Sequence, residues 1–285
     1  MSIHSGQPAL ASVLGDVLAC PVCGSTLDFR SETQLACRAT GHLFPVIDDI
    51  PQLVVESTGD NWSAEGATSE AYARQYEQPD VAARYNAMYG GRASKRATTN
   101  RESRLIQRHL LSQPPCRTIL DMPCGGGRLS PAIALAAPDA VIIEADIGLG
   151  QVRYARDHGL DGARQAFVTA SGFHLPIRDG GVDAVVCIRL FHHLPAVAER
   201  QRLLDELLRV SRAFAILTFF DYYSVKNTLR RVRAPFNKKP AKNAIKPEWL
   251  RAEARARGAE LIAMPHLFYL SSGHRFALLR KTGAG

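Results

Sequence analysis

Five short apolar runs, at 118–120, 140–145, 166–169, 182–188 and 213–220, punctuate the second half of the chain. Between them lie segments whose apolar positions repeat at helical spacing, such as 150–158 and 195–210. In the latter, Leu203, Leu204, Leu207 and Leu208 mark one helix face. Strand and helix in alternation predict an α/β fold with a doubly wound, mainly parallel sheet. Further on, Pro247 opens a helix over 247–257 and Gly258 closes it. Runs at 260–270 and 274–280, joined by Ser271-Ser272-Gly273, predict an antiparallel hairpin at one sheet edge. Residues 1–57 read instead as short extended pieces with turns, 58–66 as a polar linker, and 68–112 as helix broken near Gln78-Pro79 and Gly90-Gly91. The expected organisation is a small domain at 1–57, a linker and helical lead-in at 58–112, and a large domain at 113–285.

Composition makes this a folded chain. Of the 285 residues, 46% are hydrophobic and 22% charged, enough apolar surface for a sizeable core. The longest apolar run, 213–220, is far short of the roughly 20 residues that cross a bilayer. No basic and apolar leader opens the sequence, so a cytoplasmic home is expected. The net charge of +8 is unevenly placed: residues 1–57 hold two basic side chains against six acidic ones. From Lys226 to Lys246 there are eight basic side chains and no acid, and from Arg92 to Arg108 the lone acid is Glu102. Such stretches either attract phosphate-bearing partners or form solvated loops. The segment 222–246 is therefore read as a basic insert, either an RNA track or a lid.

Three of the six cysteines crowd into the first 37 residues. Cys20-Pro21-Val22-Cys23 sets two thiols on one knuckle, and Cys37 and His42 follow after thirteen and then four residues. Two close pairs separated by a loop deliver the four tetrahedral ligands that zinc prefers, in a closed structural site. Such an ion would stabilise a domain too small to build much core. The knuckle, with Leu35-x-Cys37, Gly41-His42-x-Phe44-Pro45-Val46 and Ile50-Pro51-x-Leu53, resembles the small zinc domain that activates tRNA and translation-factor methyltransferases. A similar module precedes the catalytic domain of rRNA guanine-N1 methyltransferases.

A strand ending in an acid, then a glycine turn, then a helix start is written in Ile119-Leu120-Asp121-Met122-Pro123-Cys124-Gly125-Gly126-Gly127. Glycines let backbone approach a ligand closely, and an acid at the strand end suits a cationic or hydroxyl-bearing group. Nineteen residues after Gly127, a second strand ends in Asp146, followed by Ile147; a carboxylate there can accept both ribose hydroxyls. The pattern resembles class I S-adenosylmethionine (SAM) dependent methyltransferases of the type 11 kind, with their Rossmann-like seven-stranded sheet. The resemblance implies that Asp121 faces the methionine ammonium, that Cys124, Gly125 and Gly127 form the turn, and that Asp146 and Ile147 hold the ribose side. It places Ser171 and Gly172 at the adenine, with serine where most of the family has an acid. A dinucleotide fingerprint, Gly125-x-Gly127-x-x-Ser130 with Asp146, competes, yet it leaves Asp121 and the terminal hairpin without a role.

Arg189, His192 and His193 follow the fourth strand of this sheet, where the reactive methyl would lie, and a histidine there can take an acceptor's proton. Asp221-Tyr222-Tyr223 is a second set of acceptor-side residues. The Phe191-His192-His193-Leu194 end resembles methyltransferases of small molecules, including quinone and lipid precursors. The expected acceptor is thus a small molecule, lipid or glycan precursor. The alternatives are an rRNA or tRNA base, favoured by the zinc module and the basic stretches, and a non-catalytic SAM-fold partner. Oligomeric state is left open.

Overall fold

The computed structural model describes residues 14–55, 79–161, 164–233 and 243–283. The expected linker at 58–66, and the basic residues at 238, 239 and 242, lie outside them. Four short antiparallel strands come first: β1 (Leu27–Ser31), β2 (Gln34–Cys37), β3 (Leu43–Ile47) and β4 (Ile50–Pro51), paired in that order. β3 alternates strictly, with Phe44 and Val46 inward and their neighbours exposed. It turns into β4 through Asp48 and Asp49, at φ 52° and 63°. Two left-handed residues in a row make the two-residue turn whose twist matches a hairpin.

Two helices, α1 (Pro79–Gly91) and α2 (Ala93–Leu111), lead into the large sheet and are interrupted at Arg92. The sheet is built from β5 (Thr118–Asp121), β6 (Val141–Asp146), β7 (Arg164–Thr169), β8 (Val182–Cys187) and β9 (Ser211–Asp221), all parallel, in the order β7-β6-β5-β8-β9. Two antiparallel strands, β12 (His274–Lys281) and then β11 (Ala259–Ala263), extend it beyond β9. To the seven expected strands the structure adds an eighth, the two-residue β10 (Ala244–Ile245), parallel to the end of β9. The helices between strands are α3 (Ser130–Ala136), α4 (Leu149–Asp157), α5 (Val197–Val210), α6 (Val225–Arg233) and α7 (Pro247–Ala256).

The inner strands are β-branched and apolar because both faces of the sheet are covered. Successive residues feed opposite layers: Leu120, Ile143 and Val185 join α5, whereas Ile119, Ile142 and Val186 join Leu105 and Ile106 of α2. The terminal hairpin is present, but the expected strand over 260–270 stops at Ala263. A bulge between Leu261 and Ala263 disturbs the ladder, and Pro265 has no N–H to continue it.

The small domain shares the core of the large one. Leu27, Phe44 and Leu53 lie in the same buried cluster as Ile177 and Leu207. The join is made by backbone as well. Ala19 N–H donates to Pro176 O (2.9 Å), Arg178 N–H to Val17 O (3.0 Å) and Leu53 N–H to Thr169 O (3.1 Å). Gln52 pairs with Thr169 as a parallel bridge at the end of the β7 edge. The acidic surface of the module also finds cations here: Asp48 Oδ2 lies 2.6 Å from Arg153 Nη2 of α4.

Candidate cofactor and active site

β5 delivers Asp121 to the carboxyl ends of the strands, where ligands sit in doubly wound sheets. The chain then loops through Gly125 (φ 57°) and Gly127 (φ 73°), left-handed conformations that favour glycine. Within this turn Gly125 N–H donates to Asp146 Oδ2 (2.9 Å), and Gly148 N–H donates to Oδ1 of the same carboxylate (3.0 Å). One acid thus fixes both the glycine turn and the start of α4. Burial raises its pKa, while these backbone N–H groups pull the other way.

Asp121 is 1% exposed, and neither of its carboxylate oxygens has a hydrogen-bond partner among the described residues. Its register partner on β6 is Glu144, also fully buried. Burial, and then the neighbouring Glu144, hold the Asp121 carboxyl well above the usual range, and burial pushes Glu144 up to about 7. An orphaned buried acid of this kind fits a cationic group brought against it.

Above the turn is a cavity of about 610 Å³. Cys124, Gly125, Asp146, Ile147, Ser171 and Gly172 form one side of it, and Arg189, His192 and His193 another. Two of the sequence-derived cofactor residues are not on its wall. Asp121 lies beneath it, because Met122 and Pro123 carry the chain across the end of β5. Gly127 is turned away between α3 and α4, where a Cβ would stand 3.3 Å from both Ser130 Oγ and Ala155 Cβ.

His192 and His193 share a single 3₁₀ turn, Phe191–His193, with ring centres 4.2 Å apart. The His192 ring also contacts Phe220 at 4.6 Å and His274 at 4.9 Å. Burial, reinforced by the Arg189 charge, pushes His274 down to about 3, so it is neutral. Asp221, Tyr222 and Tyr223 point elsewhere. Asp221 pairs with Arg275 (3.1 Å), Tyr223 Oη donates to Glu248 (2.6 Å), and the Arg231 guanidinium lies 3.7 Å over the Tyr222 ring.

In the small domain the donor atoms of Cys20, Cys23, Cys37 and His42 all lie within 4.8 Å of one another. Cys23 Sγ and Cys37 Sγ are 3.4 Å apart, and Cys20 Sγ and His42 Nδ1 are 3.7 Å apart. Three thiols and an imidazole gathered so closely fit one tetrahedral zinc ion, whose ligand bonds are about 2.0–2.3 Å.

Residues 119–213 match the family model described as a methyltransferase domain. The chain carries a methyltransferase domain. Residues 14–49 match the model of Trm112p-like proteins. Malonyl-[acyl-carrier protein] O-methyltransferase of Geobacter sulfurreducens is 34% identical over 130 residues, 42% of this chain and 48% of that protein. The tRNA (carboxymethyluridine(34)-5-O)-methyltransferase of Arabidopsis thaliana is 31% identical over 111 residues, 38% of this chain and 25% of that protein. The chain therefore spans about half or less of the length of these relatives. Among solved structures, magnesium protoporphyrin IX methyltransferase (ChlM) from Synechocystis PCC 6803 with bound SAH is similar in fold. Its TM-score is 0.62 at 16% identity, over 75% of this chain and 99% of that one.

Three functional-site residues that sequence reasoning missed precede the methyltransferase domain. Asn86 and Tyr89 of α1 close the cavity from above. Asn86 Nδ2 donates to Gln151 Oε1 (3.1 Å), so it clasps α4 across the glycine turn, and a Cβ on Gly126 would stand 2.1 Å from it. Glu102 of α2 is fully buried and pairs with Arg128 (2.8 Å) and Arg189 (2.7 Å). Both guanidiniums lie against the Tyr89 ring, at 4.5 and 5.9 Å from its centre. The signal for Glu102 was its standing as the lone acid in a basic helix.

Proposed function

We propose that this protein is a SAM-dependent methyltransferase that methylates an O, N or C atom of a small-molecule, lipid or glycan-precursor acceptor. The observation that carries the cofactor reading is the juxtaposition of the orphaned Asp121 carboxyl with a glycine turn held by Asp146. SAM supplies an electrophilic methyl group on a sulfonium. Asp121 is assigned to its ammonium, Asp146 and Ile147 to its ribose, Cys124, Gly125 and Gly127 to the turn around it, and Ser171 and Gly172 to its adenine side.

On the acceptor side, Arg189, His192 and His193 are the assigned catalytic residues. Methyl transfer gains most from alignment of donor and acceptor. Arg189 is well suited to that task, since it is fixed at φ 67° with its N–H on Thr218 Oγ1 (2.7 Å) and its side chain on Glu102. The histidine pair is assigned the acceptor's proton. A cavity roofed by Asn86 and Tyr89 suits a compact acceptor. Cys20, Cys23, Cys37 and His42 are assigned to one structural zinc ion.

A second reading, methylation of an rRNA or tRNA base, draws on the Trm112p-like module and on a relative that modifies tRNA. Transfer of labelled methyl from SAM into fractions of a methyl-deficient extract separates the two. Label in metabolites or lipids is the expected result. Label in RNA, lost on ribonuclease treatment, would establish the second reading. Absence of label in every fraction, with SAM bound, would return the protein to a non-catalytic role.

A further inference from the structure

Amphipathic helices ordinarily bury their apolar stripe; α6 exposes it. Val225, Leu229 and Val232 recur four and three residues apart, as one face does, and none belongs to either buried core. Leu229 and Val232 are 46% and 66% exposed. The side chain that anchors the helix is polar. Asn227 is buried, and its Nδ2 donates to Asp221 O (2.8 Å) and Gly273 O (3.2 Å).

The neighbouring turn continues the surface. Lys226 Nζ donates to Ser271 O (2.8 Å), which holds α6 beside Tyr269 and Leu270, exposed to 67% and 70%. Lys226, Arg230 and Arg233 flank this apolar patch, whereas Arg231 turns to the Tyr222 ring; among the described residues no carboxylate forms an ion pair with the three. The sequence adds four more lysines, and no acid, before Pro247. The patch adjoins the cavity: the Arg230 guanidinium lies 5.7 Å from the Phe220 ring, which itself contacts His192.

We propose that α6 and the 266–273 turn dock the protein on an anionic lipid surface. Val225, Leu229, Val232 and Leu270 enter the headgroup–acyl boundary, and Lys226, Arg230 and Arg233 meet lipid phosphates. The combination selects the occupant. Cations alone suit any polyanion, but a row of projecting aliphatic side chains offers nothing to phosphates and gains most by entering hydrocarbon. A nine-residue helix that keeps a polar side chain on its buried side and its aliphatic stripe outside has the arrangement of a helix lying in an interface. The docking is independent of methyl transfer. Its consequence, presentation of the His192 side of the cavity to an amphiphilic acceptor, rests on the proposed function.

The test is flotation of the full chain with phosphatidylcholine vesicles, with and without phosphatidylglycerol. The bound fraction should rise on the order of tenfold with the anionic lipid and fall with added salt. Leu229→Gln combined with Val232→Gln should lower binding on the order of tenfold while leaving the melting temperature unchanged. Equal binding to both vesicle types, or a double variant that floats like the parent, would overturn the proposal. So would binding confined to RNA or to an acidic protein, lost in Arg230→Gln with Arg233→Gln but indifferent to the aliphatic changes. SAM titration of the same samples reports on the cofactor reading separately, so the two failures are distinguishable.

Discussion

Glu102 Oε1 accepts from both Nε and Nη2 of Arg189 at 2.7 Å, while Oε2 is taken by Arg128 at 2.8 Å. A residue of α2 thereby ties the glycine turn to the end of β8, across the mouth of the cavity. Its carboxylate is fully buried between two guanidiniums, so its removal leaves two like charges over one tyrosine ring. Glu102→Ala should cost roughly 3 kcal/mol of stability by urea unfolding. Glu102→Gln, which keeps the shape and one of the two acceptor oxygens, should cost less but still lower the rate of methyl transfer more than it weakens SAM.

Asp146→Ala removes the acceptor of two backbone N–H groups and, in the proposed reading, of the ribose hydroxyls. Hydrogen bonds to a charged group contribute about 1.5–3 kcal/mol, so SAM affinity should fall roughly 10- to 100-fold by calorimetry. Undiminished binding would refute the assignment.

His109 and His274 are pushed down to about 4 and about 3, in both cases chiefly by burial. A histidine depressed in the fold contributes stability above its unfolded pKa near 6.5, and that contribution is lost as pH falls. Each should withdraw roughly 2 kcal/mol by pH 5. Melting curves should show the loss, and His274→Asn should blunt it.

Glu144 behaves oppositely. Its pKa is raised to about 7, so the fold holds a proton that the unfolded chain releases near 4.5. Stability from this group is present at low pH and declines as pH rises through 7. Glu144→Gln, unable to ionise, should stabilise the protein by about 1–3 kcal/mol at pH 8 and have little effect at pH 4.5. Equal effects at both values would show that burial does not control this carboxyl.

Metal analysis should find one zinc per chain. Because the module shares buried side chains with the large sheet, stripping the metal with a chelator should lower the melting temperature of the whole protein in one transition. Two separate transitions would contradict that coupling.

The sheet and the two carboxylates were legible in the sequence for a physical reason. Asp121 and Asp146 sit where apolar strands stop and glycine begins, a pattern local enough to read along the chain. Asn86, Tyr89 and Glu102 belong to helices whose own periodicity says nothing about which cavity they will roof; their destination is set by tertiary packing. The same holds for α6. Its basic charge could be read, but an apolar stripe turned outward is visible only once Asn227 is seen to occupy the buried side. Asp221-Tyr222-Tyr223 misled because their place after β9 suggested the cavity, whereas Arg275, Glu248 and Arg231 draw their side chains away.

The Gln52–Thr169 bridge has a meaning beyond attachment. β7 is the outermost parallel strand, and a bare strand edge is a template on which another chain can add. With its end occupied by the module, that template is shortened and overhung. If that module came apart, the edge would be laid bare, and the first sign would be turbidity.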